Sequence, residues 1–482
     1  MNLASTWWTR SVDLLRKATP SKSTASTTSA APTRTLEQRL AATLRRGQEA
    51  LPPHVLRRLM EDLSAAANER LSEVEAAKHA QTVMQWYRSA EPAQRQDLWL
   101  LMCEQFGPDA QHIHAARVQY EQADTPQAQG EAEIALRKAL SSARTRLLQR
   151  FSVPEGGMRF LVDLRAELLT LPKTDKRFVA LDAELEHLFA HWFDVAFLEL
   201  RTITWDSPAS LLEKLIQYEA VHDIKSWADL KNRVDSDRRC YGFFHPKLPQ
   251  EPLIFVEVAL VEQMSDSITP LLDEQGARAD LDRATTAIFY SISNTQVGLR
   301  GVSFGNSLIK RVVDALLQEW PKLKTFATLS PMPGLRSWMA KQGDALLASW
   351  SPKQHAEVCK ALGVEGPLQA ADWLRAAEQA LQWPADSAAR RALLRCAAQY
   401  LGRGLNAQGR PLDAVARFHL GNGARVERLN WAADPSAKGC KQSFGLMVNY
   451  LYDLKRLDKH RSQLAQGQIP ASSELDVFYK PW

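Results

Sequence analysis

The pattern of the chain predicts an α+β fold that is mostly helical: an all-α N-terminal region followed by an α/β domain with a helical insertion. Three observations predict it. Apolar residues keep a helical spacing from Leu36 to about Glu186, the period becomes two from Cys240, and after Gly334 helical spacing returns before a last strand. With 482 residues, 45% of them hydrophobic, the chain is too long for one core. The expected division is a basic, Ser/Thr-rich disordered tail over 1–35, a helical N-terminal domain over 36–186 and the α/β domain over 187–482.

In chain order, Met1–Lys17 reads as a short basic amphipathic helix with Trp7, Trp8, Leu14 and Leu15, and Thr19–Thr35 as a linker rich in Ser, Thr and Ala. This acid-poor leader has the composition of an organelle transit segment and, more simply, of a frayed terminus. No secretory h-region is present, and Tyr479–Trp482 lacks the peroxisomal Ser-Lys-Leu address. The default compartment is cytoplasmic, or mitochondrial if the leader is a transit segment. Leu36–Ala50, Pro53–Ala90, Ala93–Phe106, Gln111–Ala123, Gln127–Phe151 and Pro154–Leu171 are expected as successive helices broken by Pro- or Gly-bearing turns. They carry no catalytic constellation, so packing or oligomerisation is their expected task. Ala180–Val234 continues as a helical bridge. Cys240–His245 and Leu253–Val261 then alternate as a hairpin joined by the loop Pro246–Pro252.

Charge excludes a general polyanion-binding body. The net charge is +5, but residues 1–46 hold eight basic against two acidic side chains, leaving 52 basic and 53 acidic in the remainder. No nucleic-acid partner is expected. No apolar run approaches the ~18 residues of a membrane span. The five cysteines have neither a C-x-x-C spacing nor a disulfide framework, as in a reducing compartment.

The stretch Thr285–Gly334 organises the rest. Ala287–Ser293 is expected as a buried strand, and Gly298, Gly301 and Gly305 punctuate the turn after it. Asn306 and Ser307 are competent N-caps for a helix carrying Leu308, Ile309, Val312, Val313, Leu316 and Leu317, which Pro321 stops. A second strand, Lys324–Leu329, delivers the turn Ser330–Gly334. A glycine turn opening a helix is an anion site, since free N–H groups and the helix dipole favour negative charge, and Arg300 adds a cation. Three glycines also fit an ordinary α/β connection. Beyond Gly334 the helices Leu335–Leu347, Pro352–Leu362, Leu368–Leu381 and Ala388–Leu401 read as an insertion. Asp413–Leu420 is a helix closed by Gly421-Asn422-Gly423, Ala424–Trp431 a strand and Ser443–Leu464 a final helix.

Arg300-Gly301-Val302-Ser303-Phe304-Gly305 resembles the Arg-x-x-Gly-x-Gly loop of the GNAT-type N-acetyltransferase fold, which wraps the pyrophosphate of coenzyme A. Strand, strand, strand, helix, strand is also that fold's order. Ser303 stands where the fold usually has glycine, which counts against ordinary acetyl transfer. In order, RRCYGFFHP, EPLIFVEVAL, AIFYSISNTQVGLRGVSFGNSLIKRVV, LSPMPG, FHLGNGA, NWAAD and GLMVNYLY resemble the malonyl-CoA decarboxylase family from Arg238 to Tyr452.

The resemblance implies a GNAT acetyltransferase-like catalytic domain, a helical domain that mediates subunit contact, and a homo-oligomer, in the family a tetramer. It implies a malonyl-CoA substrate and an acetyl-CoA product. It places the proton acceptor or carboxylate anchor at Ser330, the proton donor at His419, and the CoA pyrophosphate on Arg300, Gly301, Val302, Ser303, Phe304, Gly305 and Asn306. From spacing alone, His419 before a glycine cap reads as a structural side chain and Ser330 as part of an ST-turn. Tyr452 is a candidate for orienting the site and equally a buried helix tyrosine.

Decarboxylating a malonyl thioester leaves an enolate that must be stabilised and then protonated at carbon, work suited to a histidine and a hydroxyl. The thioester carbonyl takes the electrons, so neither metal nor cofactor is expected. His187 and His191 stand four apart but lack a third ligand, and His112 and His114 do not face each other on a helix. No Gly-x-Ser-x-Gly surrounds Ser330. The rival readings are a CoA-dependent acyltransferase and a non-catalytic acyl-CoA sensor.

Overall fold

The computed structural model describes residues 50–172, 175–235, 237–276, 278–302, 304 and 307–479. The expected tail and the helix Leu36–Ala50 lie outside them, apart from Ala50. The chain divides into the units Met1–Met60 and Glu61–Trp482. The described part of the first is essentially the start of the helix Pro53–Ala67, and the second holds the remaining elements. Among the described residues no helix is long and apolar enough to cross a membrane.

The N-terminal region is helical, with two expected helices divided. Pro53–Ala90 is interrupted before Glu73–Ser89, where Ser72 and Glu75 form a capping box. Gln127–Phe151 breaks into Pro126–Leu140 and Ala143–Phe151, the second capped by Ser142. A continuous apolar period hides such breaks, because each piece keeps helical spacing up to the turn that divides them. Gly157–Leu168 and Val179–Trp192 complete the region.

Eight strands among the described residues form one mixed sheet in the order β1-β2-β3-β4-β5-β8-β6, with β7 paired to β8. They are β1 (Glu199–Ile203), β2 (Arg238–His245), β3 (Leu248–Val261), β4 (Thr286–Asn294), β5 (Thr325–Thr328), β6 (Ser330–Pro331), β7 (Arg425–Asn430) and β8 (Met447–Leu451). β1 corrects the all-helical bridge: it lies along the sheet edge with an irregular burial pattern that leaves no clean alternation. The β2–β3 turn is shorter than Pro246–Pro252, since Leu248–Pro252 already belongs to β3, and Pro252 is accommodated where the register slips near Phe244.

The larger correction is at the C-terminus. The expected helix Ser443–Leu464 is instead the end of a helix at Ser443, the strand β8 and a separate helix Leu457–Ala465. β8 pairs with β5, β6 and β7, and Met447–Tyr450 are buried throughout. A short apolar run buried on every side has no period to tell strand from helix.

The feature that makes room for a site is a parting of strands. β4 and β5 pair in parallel only over Thr286–Phe289 and Thr325–Thr328. Beyond Phe289, β4 keeps β3 as its neighbour, whereas Ser330 and Pro331 turn away to pair with β8. The helix Leu308–Glu319 links β4 to β5 much as its spacing predicts. The insertion helices Leu335–Ala348, Pro352–Leu362, Ala370–Ala377 and Ala388–Gly402 follow β6, and Ala414–Gly421 precedes β7.

Candidate active site

Ser330 opens β6 and His419 lies in the last turn of Ala414–Gly421; 89 residues apart in sequence, Ser330 Oγ and His419 Nε2 are 3.2 Å apart. The Ser330 hydroxyl donates to Thr328 Oγ1 at 2.9 Å. That spends its proton, so the serine oxygen accepts from His419, which assigns the imidazole hydrogen to Nε2. Nδ1 is then the acceptor for the Tyr452 hydroxyl at 2.7 Å. The result is a chain of donors from Tyr452 through His419 and Ser330 to Thr328, whose Oγ1 also accepts the Tyr450 N–H at 3.1 Å. The Tyr450 ring stacks on the imidazole with centroids 4.7 Å apart. Tyr452, just past β8, is thus not a helix tyrosine.

No charge is present in this chain of donors. Burial pushes the His419 imidazole down to about 3, because its cation would lose water and gain no partner. Burial likewise raises the Tyr450 and Tyr452 phenols well above their usual range. At neutral pH all three are neutral.

The serine turn and the histidine helix are bolted together by the insertion. Asp413 caps the helix through the N–H groups of Val415 and Ala416 at 2.9 and 3.0 Å and accepts from the Tyr400 hydroxyl at 3.0 Å. A Cβ on Gly334 would come within 2.1 Å of that hydroxyl, so the last residue of the serine turn has no room for a side chain. Burial raises the Asp413 carboxyl, and hydrogen bonds from Ala416, Tyr400, Val415 and Gly334 oppose it.

Ser330 and His419 open on a cavity of about 240 Å³ where β4 and β6 part. Its wall includes Val221, Phe289, Tyr290, Ile292, Asn294, Val415 and Phe418, with no charged side chain among the described residues. A larger cavity of about 450 Å³ is lined by Arg300, Gly301, Val302, Phe304, Arg417 and Asn422, and shares Asn294 and Phe418 with the first. The two shared residues make the cavities neighbours, one cationic at its wall and one uncharged.

Of the expected loop, Arg300, Gly301, Val302 and Phe304 line the larger cavity, while Ser303, Gly305 and Asn306 lie outside the described residues. Gly301 has φ +84°, a backbone that favours glycine. Gly298 serves another purpose: its Cβ would stand 1.9 Å from the carbonyl oxygen of Val162. The turn presses against the helix Gly157–Leu168. From that helix Arg165, 1% exposed, donates to the carbonyls of Gly298 and Arg300 at 2.9 Å each and pairs with Asp182 and Glu186. The helical region therefore holds the Arg300 turn as well as packing.

Sequence reasoning did not find Thr328, Tyr450, Asp413, Tyr400 or Arg165. Thr328 had a usable signal, since on an extended segment it shares a face with Ser330 two residues on. Asp413 had one too, as an N-cap residue type at the start of the His419 helix, whereas Tyr400 and Arg165 had none, being partners brought from distant elements. His187 and His191 pack edge to face on their helix, and His191 Nδ1 contacts the His187 carbonyl at 2.8 Å.

The model of the malonyl-CoA decarboxylase C-terminal domain matches residues 196–480, and that of the malonyl-CoA decarboxylase N-terminal domain matches 106–193. The mitochondrial malonyl-CoA decarboxylase of Rattus norvegicus is 38% identical over 411 residues, covering 80% of this chain and 82% of the relative. That of Anser anser anser is 35% identical, covering 84% and 83%. Among solved structures, malonyl-CoA decarboxylase from Cupriavidus metallidurans is 44% identical with a TM-score of 0.71, covering 88% of this chain and 99% of that one. The one from Agrobacterium vitis is 38% identical with a TM-score of 0.75, covering 88% and 99%.

Proposed function

Because the chain belongs to the malonyl-CoA decarboxylase family, whose reaction is that of a carboxy-lyase, we propose that it converts malonyl-CoA to acetyl-CoA and carbon dioxide with Ser330 and His419 as the reacting pair. The observation that carries the assignment is that this pair, hydrogen-bonded and buried, opens on an uncharged cavity adjoining the cavity of Arg300.

The pyrophosphate of coenzyme A binds the loop Arg300–Asn306, where the exposed Arg300 and the start of Leu308–Glu319 both favour an anion. The malonyl group reaches past Asn294 and Phe418 to Ser330. A wall without cations disfavours the concentrated charge of the carboxylate more than the dispersed charge of the enolate, and carbon dioxide leaves as a neutral molecule. The carbon–carbon bonding pair moves into the thioester carbonyl, forming the enolate, and returns to form the new carbon–hydrogen bond. Since the electrons rest on the thioester, no metal or cofactor is needed.

His419 is neutral in the free site, and the arriving carboxylate is the opposite charge that favours its protonated form. His419, protonated from water, delivers the Nε2 proton to the α-carbon and returns to its neutral form, and Ser330 anchors the carboxylate or relays the proton. Tyr452 orients the neutral imidazole by donating to Nδ1, and its hydroxyl turns to accept from Nδ1 once that nitrogen is protonated. The parting of β4 and β5 and the order of strands support reading the domain as GNAT-like. The resemblance also supports a homotetramer, which light scattering would test; the location is cytoplasmic, or mitochondrial if the leader is a transit segment, which fractionation would test.

The test is to incubate metal-stripped protein with malonyl-CoA and no acceptor amine and to quantify acetyl-CoA, free CoA and carbon dioxide. Equal amounts of acetyl-CoA and carbon dioxide over many turnovers are expected. Malonyl-CoA that stays bound and intact would overturn the reading in favour of a sensor.

A further inference from the structure

Glu219 follows the helix Ala209–Tyr218, and Trp227–Arg233 starts the next. The residues between have no regular structure, yet their first part is held as firmly as a strand. Glu219, 8% exposed, accepts the N–H groups of Val221 and His222 at 2.8 Å each and the hydroxyls of Ser291 and Ser293 on β4. The Ala220 N–H donates to Ser293 Oγ at 3.2 Å, and Lys438 Nζ donates to the Ala220 carbonyl at 2.8 Å. A buried carboxylate that plays no part in the chemistry is thus committed to fixing this backbone on the strand beside the cavity. From this segment Val221 lines the cavity onto which Ser330 and His419 open, together with Ile292 and Val415.

We propose that Val221 sets which acyl group the site decarboxylates, by filling the space that a substituent on the α-carbon of a malonyl thioester would need. The proposal rests on the decarboxylase reading. A wall rejects an extra methyl only if it cannot retreat, and the bonds to Ser291, Ser293 and Lys438 remove that freedom. Ile292 and Val415 belong to a strand and a helix, whose positions are set by the fold as a whole. Val221 stands on a short connection held through its backbone by Glu219, Ser293 and Lys438, so the side chain can change size without altering an element.

One methyl group in a pocket is worth about 10- to 200-fold in discrimination. The experiment compares kcat/KM for malonyl-CoA and methylmalonyl-CoA in the full chain, in Val221→Ala and in Val221→Leu, following acyl-CoA products by mass spectrometry. The methylmalonyl to malonyl ratio is expected to rise about tenfold or more in Val221→Ala and to fall in Val221→Leu. A ratio within twofold of the parent in both variants would overturn the proposal, as would loss of both activities in both variants with an unchanged melting temperature. A parent protein inert toward malonyl-CoA would instead overturn the decarboxylase reading itself.

Discussion

Ser330, His419, Tyr452 and Thr328 meet beside β4 without a formal charge, whereas Arg233, Asp229 and Glu257 meet near Ser291 of the same strand in ion-pair geometry. Arg233 Nε lies 2.8 Å from Asp229 and Nη1 3.1 Å from Glu257. Burial, helped by the charge of Glu219, still pushes Glu257 up to about 8, so the pull of Arg233 does not offset the lost water. The charged cluster ties helix to strand through Arg233, although Glu257 Oε1 is left buried without a partner, and it serves to hold elements in place. The neutral chain of donors ends at a cavity, so its groups can exchange partners when a substrate arrives. Burial makes a charge a structural liability, while a neutral hydrogen-bonded pair stays available for chemistry.

The two centres can be separated experimentally, beginning with the largest effect. Arg233→Met leaves two acidic groups buried without their cation and should cost about 3–5 kcal/mol of stability, measured by urea denaturation, with turnover per folded molecule within a few-fold of the parent. His419→Asn should do the reverse: turnover down by about 10²-fold or more, with the melting temperature within a few degrees. If each variant damaged both properties alike, the contrast between the centres would be lost. Tyr452→Phe frees the imidazole tautomer, and steady-state assays should show kcat reduced about tenfold with KM little changed. An unchanged kcat would remove Tyr452 from the orienting role.

The smallest effect is one of titration. Nitrogen-15 spectra of the histidine rings in the free protein should show His419 neutral, with hydrogen on Nε2, from pH 8 down to about 4, given that burial holds it near 3. The folded state then binds fewer protons than the unfolded one. Stability is therefore full above pH ~6.5 and declines as the pH falls from there toward 3, reinforced by His222, which burial lowers to about 4. Protonation of His419 near 6.5 would mean that its site is wet and would break the contrast.

Much of this scaffold was legible. The strand Thr286–Asn294 and the helix Leu308–Glu319 lie within a residue or two of their expected bounds. The helix keeps its period because one face lies against a core, whereas the strand is buried on both faces and is legible by its aromatic and β-branched content and the glycine turn after it. β8 was misread because burial on every side erases the period, and β1 because its pattern of exposure is irregular. Ser330 and His419 were named by resemblance to ordered motifs; their spacing alone was equally that of an ST-turn and a capped helix.

By itself the sequence determined which segments are helix or strand wherever one face is buried, where turns need glycine, and which side chains carry usable chemistry. Only the tertiary structure decided that Thr328, Tyr452 and Tyr450 surround His419, that Arg165 holds the Arg300 turn, and that Gly298 is small because a helix passes against it. Periodicity is a property of one segment, whereas a hydrogen-bond partner, a tautomer and a shifted pKa depend on the distance between segments and on the water excluded between them.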